Sequence, residues 1–122
     1  MKHLAFKFGL IFTMILLISC DGEAGLDGTV KDSKTGEKIA DVKIEMTSYY
    51  KTINTMTDSS GAFYASHGYS CGIKKCDDSF TIKFEKEGYE KLELDKNYRS
   101  KTDYVEIVGY NTIIKLTRLE SE

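Results

Sequence analysis

Phe80, Ile82 and Phe84 alternate with Thr81, Lys83 and Glu85. A period of two is what a strand imposes when one of its faces is buried and the other is wet. The alternation recurs at Val42, Ile44 and Met46 against Lys43, Glu45 and Thr47. Beyond the apolar N-terminal run, no stretch repeats apolar residues at the i, i+3, i+4 spacing of an amphipathic helix. The chain is therefore expected to be all-β. Strands are predicted at 26–31, 39–47, 49–57, 62–66, 80–85, 89–94, 104–108 and 112–119, separated by turn formers such as Asp32-Ser33-Lys34-Thr35-Gly36 and Asp58-Ser59-Ser60-Gly61. The second of these turns predicts a hairpin between 49–57 and 62–66. About seven short strands so spaced point to a sandwich or barrel. With no proline in the chain, its sheet edges must be protected by charge, bulges or loops.

The N-terminus follows a different logic. Lys2, His3 and Lys7 precede an apolar run from about Phe8 to Ile18 that contains no acidic residue. A basic segment, an apolar segment and a small residue before a cut are the marks of a secretory signal peptide. A spanning helix needs roughly 20 apolar residues, and this run stops well short of that at Ser19-Cys20-Asp21-Gly22. Leu17-Ile18-Ser19-Cys20 resembles the lipobox of bacterial lipoproteins. That resemblance implies removal of residues 1–19, a diacylglyceryl thioether on Cys20, and a fatty-acylated protein that stays on its membrane. Gly22-Glu23-Ala24-Gly25 then reads as a glycine-rich tether, so that 20–25 links the lipid to a domain over 26–122.

Cleavage leaves 103 of the 122 residues, one domain in size. Losing Lys2 and Lys7 leaves 15 basic residues against 19 acidic, a net charge of −4. That balance argues against a nucleic-acid partner and against a polybasic membrane patch. If Cys20 is lipidated, Cys71 and Cys76 remain as an even pair, and export permits a disulfide between them. Two free thiols or half a zinc site are the competing readings. A zinc site wants about four ligands, and His67 is the only histidine after residue 19, so no metal or cofactor is expected.

Gly28-x-Val30-x-Asp32, Thr35-Gly36-Glu37-x-Ile39, Val42-x-Ile44, Thr57-Asp58-x-x-Gly61-x-Phe63 and Lys86-x-Gly88-Tyr89 follow one another in order. Together they resemble the carboxypeptidase regulatory-like domain, over about 28–94. The resemblance implies a seven-stranded Greek-key β-sandwich of the transthyretin (prealbumin) type and a non-catalytic accessory role. Independently, Gly36 and Gly61 suit turn positions with positive φ, and Phe63 is placed for the core.

Little in the sequence suggests catalysis. His67 has Ser66 and Ser70 nearby, but no nucleophile-elbow pattern accompanies them. Asp77-Asp78 reads as a solvated turn, since no calcium-loop spacing surrounds it. The 5-hydroxyisourate hydrolases share the transthyretin fold, yet Tyr98-Arg99-Ser100 lacks their terminal glycine-containing motif and the second histidine is missing. All eight tyrosines follow residue 19, and tyrosine supplies rigid amphipathic contact area. The loop 67–78, with His67, Tyr69, Lys74 and Lys75, is the first candidate for recognition. The expected protein is a non-enzymatic envelope lipoprotein, on the outer membrane or cell surface in preference to the inner membrane, which binds a protein or glycan partner or plays a structural role at the membrane. Its alternatives are an accessory subunit of a transport or secretion complex, contributing an edge strand, and a small hydrolase.

Overall fold

The computed structural model describes residues 20–72 and 77–120, with the side chains of 20, 21, 71 and 72 left aside. The signal segment 1–19, Lys74, Lys75 and the Cys71–Cys76 pairing lie outside the described residues. Eight strands stand among those described: β1 Cys20–Asp32, β2 Lys43–Ser48, β3 Thr52–Met56, β4 Ala62–Gly72, β5 Phe80–Glu85, β6 Leu92–Asp95, β7 Val105–Val108 and β8 Asn111–Leu116. The other regular element is one 3₁₀ turn, Tyr98–Ser100. The strands form two four-stranded sheets, ordered β4-β1-β8-β7 and β3-β2-β5-β6. The described residues are all-β, as the alternation required. The eight strands correspond to the eight segments read from the sequence and are one more than the seven that the resemblance implies; Gly109, with φ of 63°, turns Val105–Val108 back along β8 as an edge strand.

The core lies between the sheets. Val30, Phe63, Ala65, Ile114 and Leu116 from one sheet meet Ile44, Met46, Ile82, Phe84 and Leu94 from the other. Phe63 and Phe84 join the layers edge to face, with ring centroids 5.4 Å apart. In β5 the burial alternates without a break, inward at Phe80, Ile82 and Phe84.

The predicted hairpin across Asp58–Gly61 does not form. β3 pairs with β2 and β4 pairs with β1, so this turn carries the chain from one sheet to the other. Asp58 Oδ1 accepts hydrogen bonds from the backbone N–H of Ser60 and Ala62 and from the Ser60 hydroxyl. Gly61 holds φ of 75°, and a Cβ there would lie 2.8 Å from the Val30 carbonyl oxygen. Val30 N–H in turn donates to the Gly61 carbonyl at 2.8 Å. The turn signal was right and its partner wrong, because the Gly61–Val30 bond delivers the chain to β1. Gly36, with φ of 73°, is likewise a turn.

The tether reading of 22–25 is also corrected. Those residues belong to β1 and pair antiparallel with β4, Glu23 opposite Gly68 and Ala24 opposite His67. Ala24 is buried. The glycines mark close approach rather than slack: a Cβ on Gly22 would lie 2.4 Å from the Tyr69 ring, and one on Gly25 would lie 2.1 Å from the Ala65 carbonyl oxygen. Among the described residues the sandwich therefore extends back to Cys20 rather than only to residue 26. By the same pairing, the loop expected at 67–78 is strand as far as Gly72.

Smaller shifts have local causes. β2 starts only at Lys43, because Asp41 takes φ of 59° and breaks the run after Ile39. β6 is shortened to Leu92–Asp95, and Tyr89 instead makes an isolated bridge to Arg118.

Candidate functional site

The sandwich has two ends, and they differ in chemistry. At one, β1 finishes at Asp32 beside the crossing turn 57–61. The Asp32 side chain is 1% exposed and all its acceptor capacity is engaged. Oδ1 accepts the backbone N–H groups of Lys34 and Thr35 at 2.9 and 3.0 Å. Oδ2 accepts the Tyr89 hydroxyl at 2.9 Å and Arg118 Nε at 2.7 Å. These bonds, the two backbone N–H groups above all, hold the carboxyl far below the usual carboxylate range despite burial. Tyr89 is pushed up by desolvation and by its bond to that carboxylate. Close by, the buried Thr57 hydroxyl donates to the Ile39 carbonyl at 2.8 Å and accepts Val42 N–H at 2.9 Å.

This end absorbs the motif residues. Asp32, Thr57, Asp58, Gly61 and Tyr89 each satisfy backbone or one another, so the sequence pattern at this end describes scaffold. A buried carboxylate with a strongly perturbed pKa is the mark of many active sites. Here its partners are a turn, a tyrosine and an arginine, and no oxygen remains free to take a proton from a substrate.

The other end is built where β1 and β4 run past the rest of their sheet. β8 joins β1 only from about Thr29, so Cys20–Leu26 and the second half of β4 form a two-stranded ribbon. An isolated ribbon of that kind is marginal in water. Its inner face is covered by the β2–β3 turn of the opposite sheet. Ser48 Oγ and His67 Nε2 lie 2.7 Å apart, and the Tyr50 and Tyr69 rings stack at 4.6 Å. Asp77 N–H donates to the Tyr50 hydroxyl at 3.3 Å, and Tyr49 stands edge-on to Tyr50. Tyr49 is 76% and Tyr50 40% exposed. A groove of about 450 Å³ opens beside them, lined among others by Ser48, Tyr49, Asp77, Lys96 and Asn97.

Two of the four residues of the expected recognition loop are thus brought together, on a strand instead of a loop. His67 and Tyr69 both point inward from β4, where a period of two puts them on one face. The residues that sequence reasoning missed are Ser48 and Tyr50, seventeen or more positions away; only the inward register of β4 links them to His67.

Serine beside histidine is the first step of a nucleophilic triad, but the surroundings differ. Ser48 Oγ also accepts the N–H groups of Tyr50 and Lys51 and bonds the Lys51 carbonyl at 3.1 Å, which are the duties of a turn-stabilising hydroxyl. The second ring nitrogen of His67 faces the Gly68 carbonyl at 3.3 Å rather than a carboxylate. Asp77 and Asp78 do not form an acid pair. Asp77 accepts Ser79 N–H, which lowers its pKa, and Asp78 pairs with Lys96 at 3.3 Å. Among the described residues no three His, Cys, Asp or Glu side chains gather as a metal-binding set.

The edges complete the surface. β3, β6 and β7 are edges of only 5, 4 and 4 residues, and β6 and β7 carry Glu93, Asp95 and Glu106. β4 is an edge of eleven residues, AFYASHGYSCG, without a charge or a proline. Compared with family models, with the curated proteins and with the solved structures, the chain gives no significant match.

Proposed function

We propose that this chain is a lipid-anchored protein of the bacterial cell envelope, held through Cys20, whose domain is a non-enzymatic binding module of the carboxypeptidase regulatory-like, transthyretin type. A Greek-key course is supported by the pairings β1 with β4 and β2 with β5, in which two strands intervene between each pair of neighbours. The anchor rests on the N-terminal sequence, with the outer membrane or cell surface preferred over the inner membrane. A disulfide between Cys71 and Cys76 belongs to the same reading.

One observation carries the binding role: β4 is a long edge without the charges that normally blunt an exposed strand. Such an edge suits a partner that adds an extended segment, main chain to main chain. Gly68 offers the means of testing it. It is exposed, and a Cβ there would meet nothing nearer than the Gly22 carbonyl oxygen at 3.8 Å, so Gly68→Lys places a charge on the edge without disturbing the fold. Detergent extraction and capture of the full-length protein should recover a partner that the Gly68→Lys variant loses about tenfold or more, as like-for-like strand addition is blocked. Equal capture by both forms refutes the edge as the binding element. A stoichiometric envelope complex in the captured fraction favours the accessory-subunit reading over a soluble ligand. The hydrolase reading is carried by the Ser48–His67 pair alone, and labelling of Ser48 by a fluorophosphonate probe would establish it and overturn the proposal.

A further inference from the structure

The lipid attachment point and the first residue of the sandwich are the same residue. β1 is paired from Cys20 onward, opposite Gly72, which leaves no flexible span between anchor and domain. Gly22 stands opposite Tyr69, and Tyr69 stacks on Tyr50. Tyr50 therefore lies about two strand residues, or about 7 Å, along β1 from Cys20. The headgroup layer on each side of a bilayer is itself about 6 Å deep. An anchor at Cys20 thus carries the β2–β3 turn to the depth at which amphipathic aromatic rings are most at home.

We infer that the Tyr49-Tyr50 turn is a second membrane contact, which seats the domain end-on against lipid headgroups and fixes its orientation. This rests on the lipid-anchored reading above. The occupant is a lipid surface because the covalent anchor brings that surface to this end. Tyr49 is largely exposed beside the half-exposed Tyr50, the two rings pack edge to face at 5.2 Å, and the neighbouring Lys96 is paired with Asp78. Lys51, next to Tyr50, is exposed, so zwitterionic vesicles, which carry no net charge to attract it, test the aromatic contact by itself. The acyl chains already hold the protein; the tyrosines govern its attitude. The far end, with Asp32 and Arg118, is then presented about 40 Å from the headgroups, the length of the thirteen-residue β1. The β4 edge stands along the membrane normal, open to a partner from the side.

The chain has no tryptophan, which makes a single-tryptophan experiment clean. Full-length lipidated protein carrying Tyr49→Trp, and separately Leu119→Trp at the opposite end, is reconstituted into zwitterionic vesicles with and without lipid brominated near the headgroup. Leu119 is 57% exposed, so neither change disturbs the core. The expected result is quenching of the position-49 emission by about twofold, as for an interfacial aromatic ring, with the position-119 emission unchanged. Quenching at neither position, or equally at both, overturns the end-on seating. Vesicle flotation, run on the same samples, separates the two readings. Protein that floats without quenching at position 49 refutes the contact and spares the anchor; protein that does not float, with an unmodified Cys20 mass, refutes both.

Discussion

The two ends of this sandwich use polar groups in opposite ways. Around Asp32 a buried carboxylate is fully satisfied by two backbone N–H groups, the half-buried Tyr89 and the rim residue Arg118, which joins turns from β1, β5 and β8 into one network. Around Ser48 and His67 the polar groups are half-exposed and shared between a turn and a protruding ribbon, with aromatic rings outermost. Burial makes the first network costly to break, because an unpaired polar group away from water loses its solvation. The second has water on one side to replace whatever is lost. One end thus holds the fold and the other is free to make contacts, and that difference can be tested by perturbing each in turn.

The largest effect belongs to Asp32. Asp32→Ala removes the acceptor of two backbone N–H groups, the Tyr89 hydroxyl and Arg118 in one step, and the melting temperature should fall by about 15 °C. A loss no larger than that of an exposed aspartate would show that the turn, Tyr89 and Arg118 hold together without it. Thr57→Val comes next. It keeps the shape but strands Val42 N–H and the Ile39 carbonyl, for about 2 kcal/mol, or roughly 10 °C in a domain of this size. Chemical denaturation at unchanged m-value checks that this is stability alone.

How much of this was legible beforehand follows from the range of each interaction. Alternation is local, so β5 and the inward residues of β2 could be read from their own neighbours. Turn chemistry is local too, and Gly36, Gly61 and Asp58 bend the chain where their sequence says. Which strand a turn delivers to is a long-range matter. Asp58–Gly61 looks like a hairpin turn in isolation, and the Val30–Gly61 bond that makes it a crossing joins residues thirty-one positions apart. Gly22-Glu23-Ala24-Gly25 was misread as slack because glycine signals both flexibility and close approach, and the Tyr69 ring that distinguishes them lies on another strand. His67 and Tyr69 stand out in the sequence only as members of a cysteine-bounded segment, and their partners Ser48 and Tyr50 depend on the register of β4.

Acid provides a graded version of the Asp32 test. Its folded carboxyl titrates well below its unfolded value of about 3.9. A depressed carboxyl contributes stability that is present above the unfolded pKa and is lost as pH falls through the folded one. Asp58, depressed chiefly by the Ser60 hydroxyl, and Glu85, depressed by Lys91, act in the same direction at the same end. Melting temperature should therefore be flat from pH 7 to about 5 and drop below about pH 4, where the unfolded carboxyls begin to take up protons. Asp32→Asn should give a shallower acid limb; an unchanged limb would mean that Asp58, Glu85 and Asp77 account for it.

The smallest effect is expected at the ribbon. Ser48→Ala removes the contact to His67 and the hydroxyl that organises the β2–β3 turn, but both groups have water within reach, and the cost should be about 0.5–1 kcal/mol. Because β1 before Thr29 pairs only with β4, the loss should stay local. Backbone amides of Glu23–Leu26 and His67–Ser70 should exchange faster, while those of Ile44 and Ile82 keep the protection of the whole fold. If the core amides exchange faster in step with the ribbon, the two ends form a single cooperative unit. The aromatic end would then be part of the scaffold after all, and its tyrosines could not be altered for binding without a matching loss of stability.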